Sequence, residues 1–160
     1  MILDFASRIA GVASCTGLIV LASIGAAGAE PARIYAKKAA YDDVRFELNN
    51  AIIGRGFVID YTGHIDRMLE RTGADVGSSK PIYKSAEFFT FCSAKLSRLA
   101  MEADPGNIGV CPYVVFVYES AAKPGEVTVG YRRPAAAAAG AAAVAEIDSL
   151  LDSIVQAAIK

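Results

Sequence analysis

The run PYVVFVYE, Pro112 to Glu119, followed by Lys123-Pro124-Gly125 and then EVTVGYR, Glu126 to Arg132, constrains the fold more than any other stretch. Both flanks are rich in β-branched and aromatic residues, and the Pro-Gly pair between them is a turn signal. Strands joined by so short a turn pair antiparallel, because a parallel connection needs a crossover of a dozen or more residues. The chain is therefore expected to build an antiparallel sheet that contains this hairpin.

Helical periodicity on either side of the hairpin supplies cover for the sheet. In YDDVRFELNNAIIGRGF, Val44, Leu48, Ala51 and Ile52 recur on one face, with Asp42 and Asp43 in the first turn and Gly54 or Gly56 as terminator. A last helix is predicted from the stripe Val144, Ile147, Leu151, Ile154 and Ala158. Between these lie Phe57 to Thr62, read as a strand with Phe57, Ile59 and Tyr61 toward the core and Asp60, Thr62 and His64 opposite. A short helix follows through Ile65, Met68, Leu69 and Thr72, stopping at Gly73. Then come the loop ADVGSSKP, a strand at Glu87 to Cys92, a helix from Ser93 to Ala103 with Ser93 as N-cap, and a turn at Asp104 to Asn107. Ala32 to Lys38 opens the series as a strand. Ala135 to Ala143 is low in complexity and reads as a connector interrupted by Gly140. This order predicts an α+β fold: a mostly antiparallel sheet with helices packed on one face.

The N-terminus is expected to be an export signal. Ile9 to Ala29 carries no charge and ends in the small-residue triplet Ala27-Gly28-Ala29 before Glu30. Asp4 offsets Arg8, so the usual positive n-region is weak, and an uncleaved anchor or a lipidated Cys15 are the rival readings. Cleavage after Ala29 leaves residues 30–160, one domain by length and able to bury a single core. The expected location is periplasmic or secreted, with no membrane attachment after cleavage. Net charge is -1 with no like-charge block, which gives no electrostatic case for nucleic acid.

In an oxidising compartment the two cysteines that survive cleavage, Cys92 and Cys111, favour a disulfide. They lie at the end of one strand and the start of the next, which puts them within reach if those strands are antiparallel neighbours. A redox-cycling pair lacks the C-x-x-C motif. The alternative chemistry is a copper site from His64, Cys92 and Cys111 with Met68 or Met101, or haem on the Cys111-Pro112 thiolate, although the usual short ligand spacings and C-x-x-C-H are absent. Arg132 and Arg133 end a strand and are candidates for an anion through forked hydrogen bonds, against an ordinary pairing with Glu119 or Asp60. No nucleophile elbow, P-loop, dinucleotide fingerprint or H-E-x-x-H motif occurs, so no catalytic residue is assigned.

The helix ending in GRGF, the strand VIDY with His64 downstream, FFTFCSAKL, PYVVFVYE and GEVTVGYRRP together resemble the domain of unknown function 302 family, over nearly all of residues 33–159. The resemblance implies a β-α-β4-α arrangement of the TATA-binding-protein-like type, without implying DNA binding, and supplies no catalytic residues. The function expected is an exported binding or accessory module, for a small anion or a partner of a periplasmic redox pathway. Its site would use His64, Tyr61, Phe89, Tyr113, Arg132 or Arg133. The alternative is a metal- or haem-binding redox protein or enzyme built on His64 with Cys92 and Cys111. Expected partners are an unidentified small ligand, a periplasmic protein or a second copy in a homodimer.

Overall fold

The computed structural model describes residues 30–135 and 139–160; the export signal expected at 1–29 lies outside the described residues. Five strands form one sheet: β1 Ala32–Lys38, β2 Tyr61–His64, β3 Tyr83–Phe91, β4 Tyr113–Ser120 and β5 Glu126–Arg132. Their spatial order is β1-β5-β4-β3-β2, and every neighbouring pair is antiparallel. Four helices complete the fold: α1 Tyr41–Ile53, α2 Ile65–Thr72, α3 Ala94–Ala103 and α4 Ala141–Ala157, with a short 3-10 helix at Pro105–Val110. Among the described residues no helix is long and apolar enough to cross a membrane.

Strand alternation decides where the core sits. Along β4, Tyr113, Val115, Val117 and Glu119 are buried while Val114, Phe116, Tyr118 and Ser120 are less so. β3 contributes Phe89 and Phe91 to the buried side, and β5 contributes Val127, Val129 and Tyr131. Val44, Leu48 and Ile52 of α1, and Val144, Ile147, Leu151 and Ile154 of α4, close over that side and join one hydrophobic cluster. Fully burying a side chain of this size contributes about 1.5–3 kcal/mol. The two helical stripes are the ones expected from the periodicity, because i, i+4, i+7 spacing puts those residues on one face.

Several local expectations need correction. The strand expected at 57–62 pairs only from Tyr61 to His64, although the Asp60 N–H still reaches Thr90 O at 2.8 Å. Phe57 and Ile59 pack on the core from irregular backbone. β3 starts four residues earlier than expected, at Tyr83. The turn at Asp104 to Asn107 is the start of the 3-10 helix, with the Asp104 carboxylate accepting from Gly106 N–H at 2.7 Å. Ala141, Ala142 and Ala143, expected in a connector, open α4; residues 136–138 of that tract lie outside the described residues. Gly140 precedes the helix at φ 97°, a conformation that favours glycine, and a Cβ there would lie within 2.4 Å of the Asn107 amide. Asn107 is buried and donates to Ala100 O and Ala139 O, which ties α3 to the segment leading into α4.

Candidate functional site

The sheet face opposite α1 and α4 is apolar but uncovered over its middle. Phe88 and Phe116 are directly opposed across β3 and β4. Gly63 stands beside Phe88 on β2, and Gly130 beside Phe116 on β5. A Cβ on Gly63 would fall 2.1 Å from the Phe88 ring, and one on Gly130 would fall 2.8 Å from the Phe116 ring. Each ring therefore leans outward over its glycine, away from the other. The space they leave over the β3–β4 pair is a cleft of about 400 Å³, bordered by Ile34 of β1, Ile65 of α2, Ala86, Tyr83 and Tyr118. Tyr83 and Tyr118 meet edge to face at 5.3 Å, and neither hydroxyl has a hydrogen-bond partner among the described residues. Apolar walls with two free hydroxyls at the rim suit an apolar molecule that carries a polar group.

The candidate residues from the sequence fall in three separate places. Tyr61, expected toward the core, lies on this uncovered face, 61 % exposed and 5.8 Å from the Phe88 ring. His64, expected opposite, points to the helix-covered side. The register pairs it with Glu87, and its Nδ1 lies 3.2 Å from the Glu87 carboxylate. Glu87 also accepts from Arg45 Nε of α1 at 2.7 Å. The Tyr41 hydroxyl lies buried with no hydrogen-bond partner among the described residues. Burial pushes its pKa up, and the charges of Glu87 and Asp66 add to the shift. This network fastens α1 and the β2–α2 junction to β3. Phe89 and Tyr113, expected as ligand-facing aromatics, are core residues at 0 % and 2 % exposure on the helix-covered side, away from this cleft. The Tyr113 hydroxyl meets Ser97 Oγ at 2.9 Å, and burial raises its pKa against that bond.

Cys92 and Cys111 are joined by a disulfide, with Cα atoms 5.9 Å apart. The bridge links the end of β3 to the residue that follows the 3-10 helix, across the α3 connection. The donor set considered for copper or haem is not assembled. His64 pairs with Glu87, and Cys92 stands five residues further along β3, roughly 17 Å at strand spacing. Among the described residues no three His, Cys, Asp or Glu side chains converge as a metal group.

At the far end of β5 the two arginines differ in their partners. Arg133 Nε lies 3.6 Å from Asp148 of α4, so its acid partner is neither Glu119 nor Asp60. Glu119 instead accepts from the Gly125 N–H at 2.8 Å and from Lys84 at 3.1 Å. Those two donors, the backbone one first, hold its carboxyl below the ordinary glutamate value. Tyr131 donates to Asp148 at 3.1 Å, and burial, then the Asp148 charge, pushes its hydroxyl pKa up. Sequence reasoning missed the cleft residues Phe88, Phe116, Tyr118 and Ile34. The signal that could have found them is the apolar character of both parities in EFFTF and YVVFVY, which leaves one apolar side unaccounted for once the other is buried.

A family model described as "Domain of unknown function DUF302" matches residues 34–159. No curated protein matches the chain. Among solved structures, the chain is similar to the crystal structure of an uncharacterized conserved DUF302 protein from Bacillus stearothermophilus. The TM-score is 0.66 at 12 % identity, covering 81 % of this chain and 99 % of that one. At that identity the likeness is one of fold.

Proposed function

Because the chain belongs to the DUF302 family of unknown function, we propose from its own geometry that it is an exported, non-catalytic binding module. Its ligand is a small apolar molecule with a polar group, bound on the uncovered sheet face. The observation that carries this reading is the cleft of about 400 Å³ between the parted rings of Phe88 and Phe116. That volume falls in the range of small-molecule sites, about 300–1,000 Å³. Phe88, Phe116 and Ile34 supply the apolar walls, and the Tyr83 and Tyr118 hydroxyls supply orientation. The uncharged stretch that ends in Ala27-Gly28-Ala29 supports export.

The test uses an uncharged naphthylamine dye whose fluorescence rises in apolar surroundings. The chain has no tryptophan, so intrinsic emission interferes little. Dye binding should saturate at one site. Ile34→Asp places a charge on the rim at an exposed position, without disturbing the core, and should weaken binding at least tenfold. Tyr118→Phe should leave the dye unaffected while weakening ligands that carry a hydroxyl or amide. Absence of saturable binding, or equal binding by Ile34→Asp, would sink the proposal.

A further inference from the structure

A second cavity, of about 240 Å³, shares only Val114 with the cleft. It opens where β5 ends, between the 3-10 helix, the start of β4 and the segment that leaves β5. Its charge is one-sided: Arg132 and Arg133 both line it, and none of its lining residues is acidic. Neighbouring strand residues normally point to opposite faces. The register with β1 runs to Arg132, and the Arg133 N–H still donates to Pro31 O at 3.0 Å, so the two residues leave opposite faces of the sheet at its end. Both nevertheless border the one cavity that opens at that end.

The two arginines differ in how far their charge is already met. Arg133 approaches Asp148 at 3.6 Å, beyond ordinary hydrogen-bond length, and the same Asp148 oxygen also accepts from Tyr131. Arg132 is exposed and has neither ion pair nor hydrogen bond among the described residues. Opposite the charges the lining is apolar, with Val110, Val114 and Leu151. The volume corresponds to about eight waters at ~30 Å³ each, enough for a small ring or short chain.

We propose that this cavity binds a small organic carboxylate, its two oxygens on the Arg132 and Arg133 guanidinium forks and its apolar body against Val110, Val114 and Leu151. A planar carboxylate matches the guanidinium fork and forms charge-assisted bonds, about twice as strong as neutral ones. Its charge also offsets the repulsion between two cations that share one cavity.

The experiment titrates benzoate, butyrate and sulfate into the purified chain and follows its amide NMR spectrum, with sodium chloride at matched ionic strength as control. Benzoate should give saturating shifts at Gly109, Val110 and Arg133 that chloride does not reproduce, and sulfate should bind more weakly. Arg132→Gln, at an exposed position that leaves the fold intact, should weaken benzoate about tenfold, the size expected for one lost charge-assisted contact. Arg132→Lys should fall between the two, because it keeps the charge and loses the fork. Ile34→Asp should leave benzoate binding unchanged, which separates this site from the cleft. Shifts that follow ionic strength alone would overturn the proposal. So would unchanged affinity in Arg132→Gln, or sulfate binding as tightly as benzoate, since the first places the anion elsewhere and the second removes the apolar contacts.

Discussion

Gly63→Ala tests how the cleft is held open. Gly63 is not a positive-φ residue, so its role is space rather than backbone freedom. A methyl there would lie 2.1, 2.3 and 2.8 Å from three atoms of the Phe88 ring. Carbon atoms pack at about 3.5–4.0 Å, so the ring must withdraw by roughly 1.4 Å or more. The Tyr61 ring, 5.8 Å away, limits movement on that side, so the ring must turn toward the cleft and Phe116 on β4. Overpacking of this kind costs about 1–3 kcal/mol, while replacing glycine recovers about 0.5–1 through the unfolded chain. The central values leave a net expected loss of about 1 kcal/mol, read as a lower urea midpoint at unchanged m by far-UV circular dichroism. Gly109→Ala is the control, because no atom lies within 4 Å of its Cβ position; it should be neutral or slightly stabilising. Combining Gly63→Ala with Phe88→Leu should recover at least about 0.5 kcal/mol relative to the sum of the single changes. Dye affinity should fall in Gly63→Ala, since the displaced ring moves toward the cleft. Strict additivity, or an unchanged midpoint in Gly63→Ala, refutes the reasoning.

Three further outcomes follow from the same geometry. Replacing both Cys92 and Cys111 with Ser should lower stability by about 3 kcal/mol, the chain-entropy value for the loop set by their sequence separation of 19. Oxidised protein that begins at Glu30, and so lacks Cys15, should show no free thiol after denaturation, and two thiols would contradict the bridge. Glu119 has a depressed folded-state pKa, so its contribution is present above the ordinary glutamate value of about 4.3 and is lost as pH falls through the lower folded value. Glu119→Gln should flatten that acid limb in urea titrations at successive pH values, and an identical limb in both proteins would remove the Gly125–Lys84 explanation. Finally, protein recovered from the periplasm should have an intact mass that begins at Glu30; a mass retaining Met1 would count against cleavage.

The parts of the fold that could be read from the sequence are those with one dominant period. α1 and α4 were legible because Val44, Leu48 and Ile52, and Val144, Ile147, Leu151 and Ile154, repeat on one face with polar residues between them. The β4–β5 hairpin was legible from its turn. β2 was not, because residues 57–60 precede the ladder and break the alternation on which the placement of Tyr61 and His64 depended. The cleft was hidden for a related reason. In YVVFVYE both parities are apolar, so nothing local says which side α1 and α4 will cover; the register and the helix docking decide it. Arg132 and Arg133 could be named from the sequence, but their shared cavity forms only where the 3-10 helix and the start of β4 meet the end of β5.

The position of β1 sets the order in which the chain can fold. It is the first strand among the described residues, yet its partner in the sheet is β5, with Ala32 opposite Arg132. Until β5 has emerged, β1 has no edge to join, and α1 has no β4 or β5 surface on which to lay Val44, Leu48 and Ile52. A sheet closed by its earliest and latest strands has long-range contacts that form slowly, because loop closure must precede them.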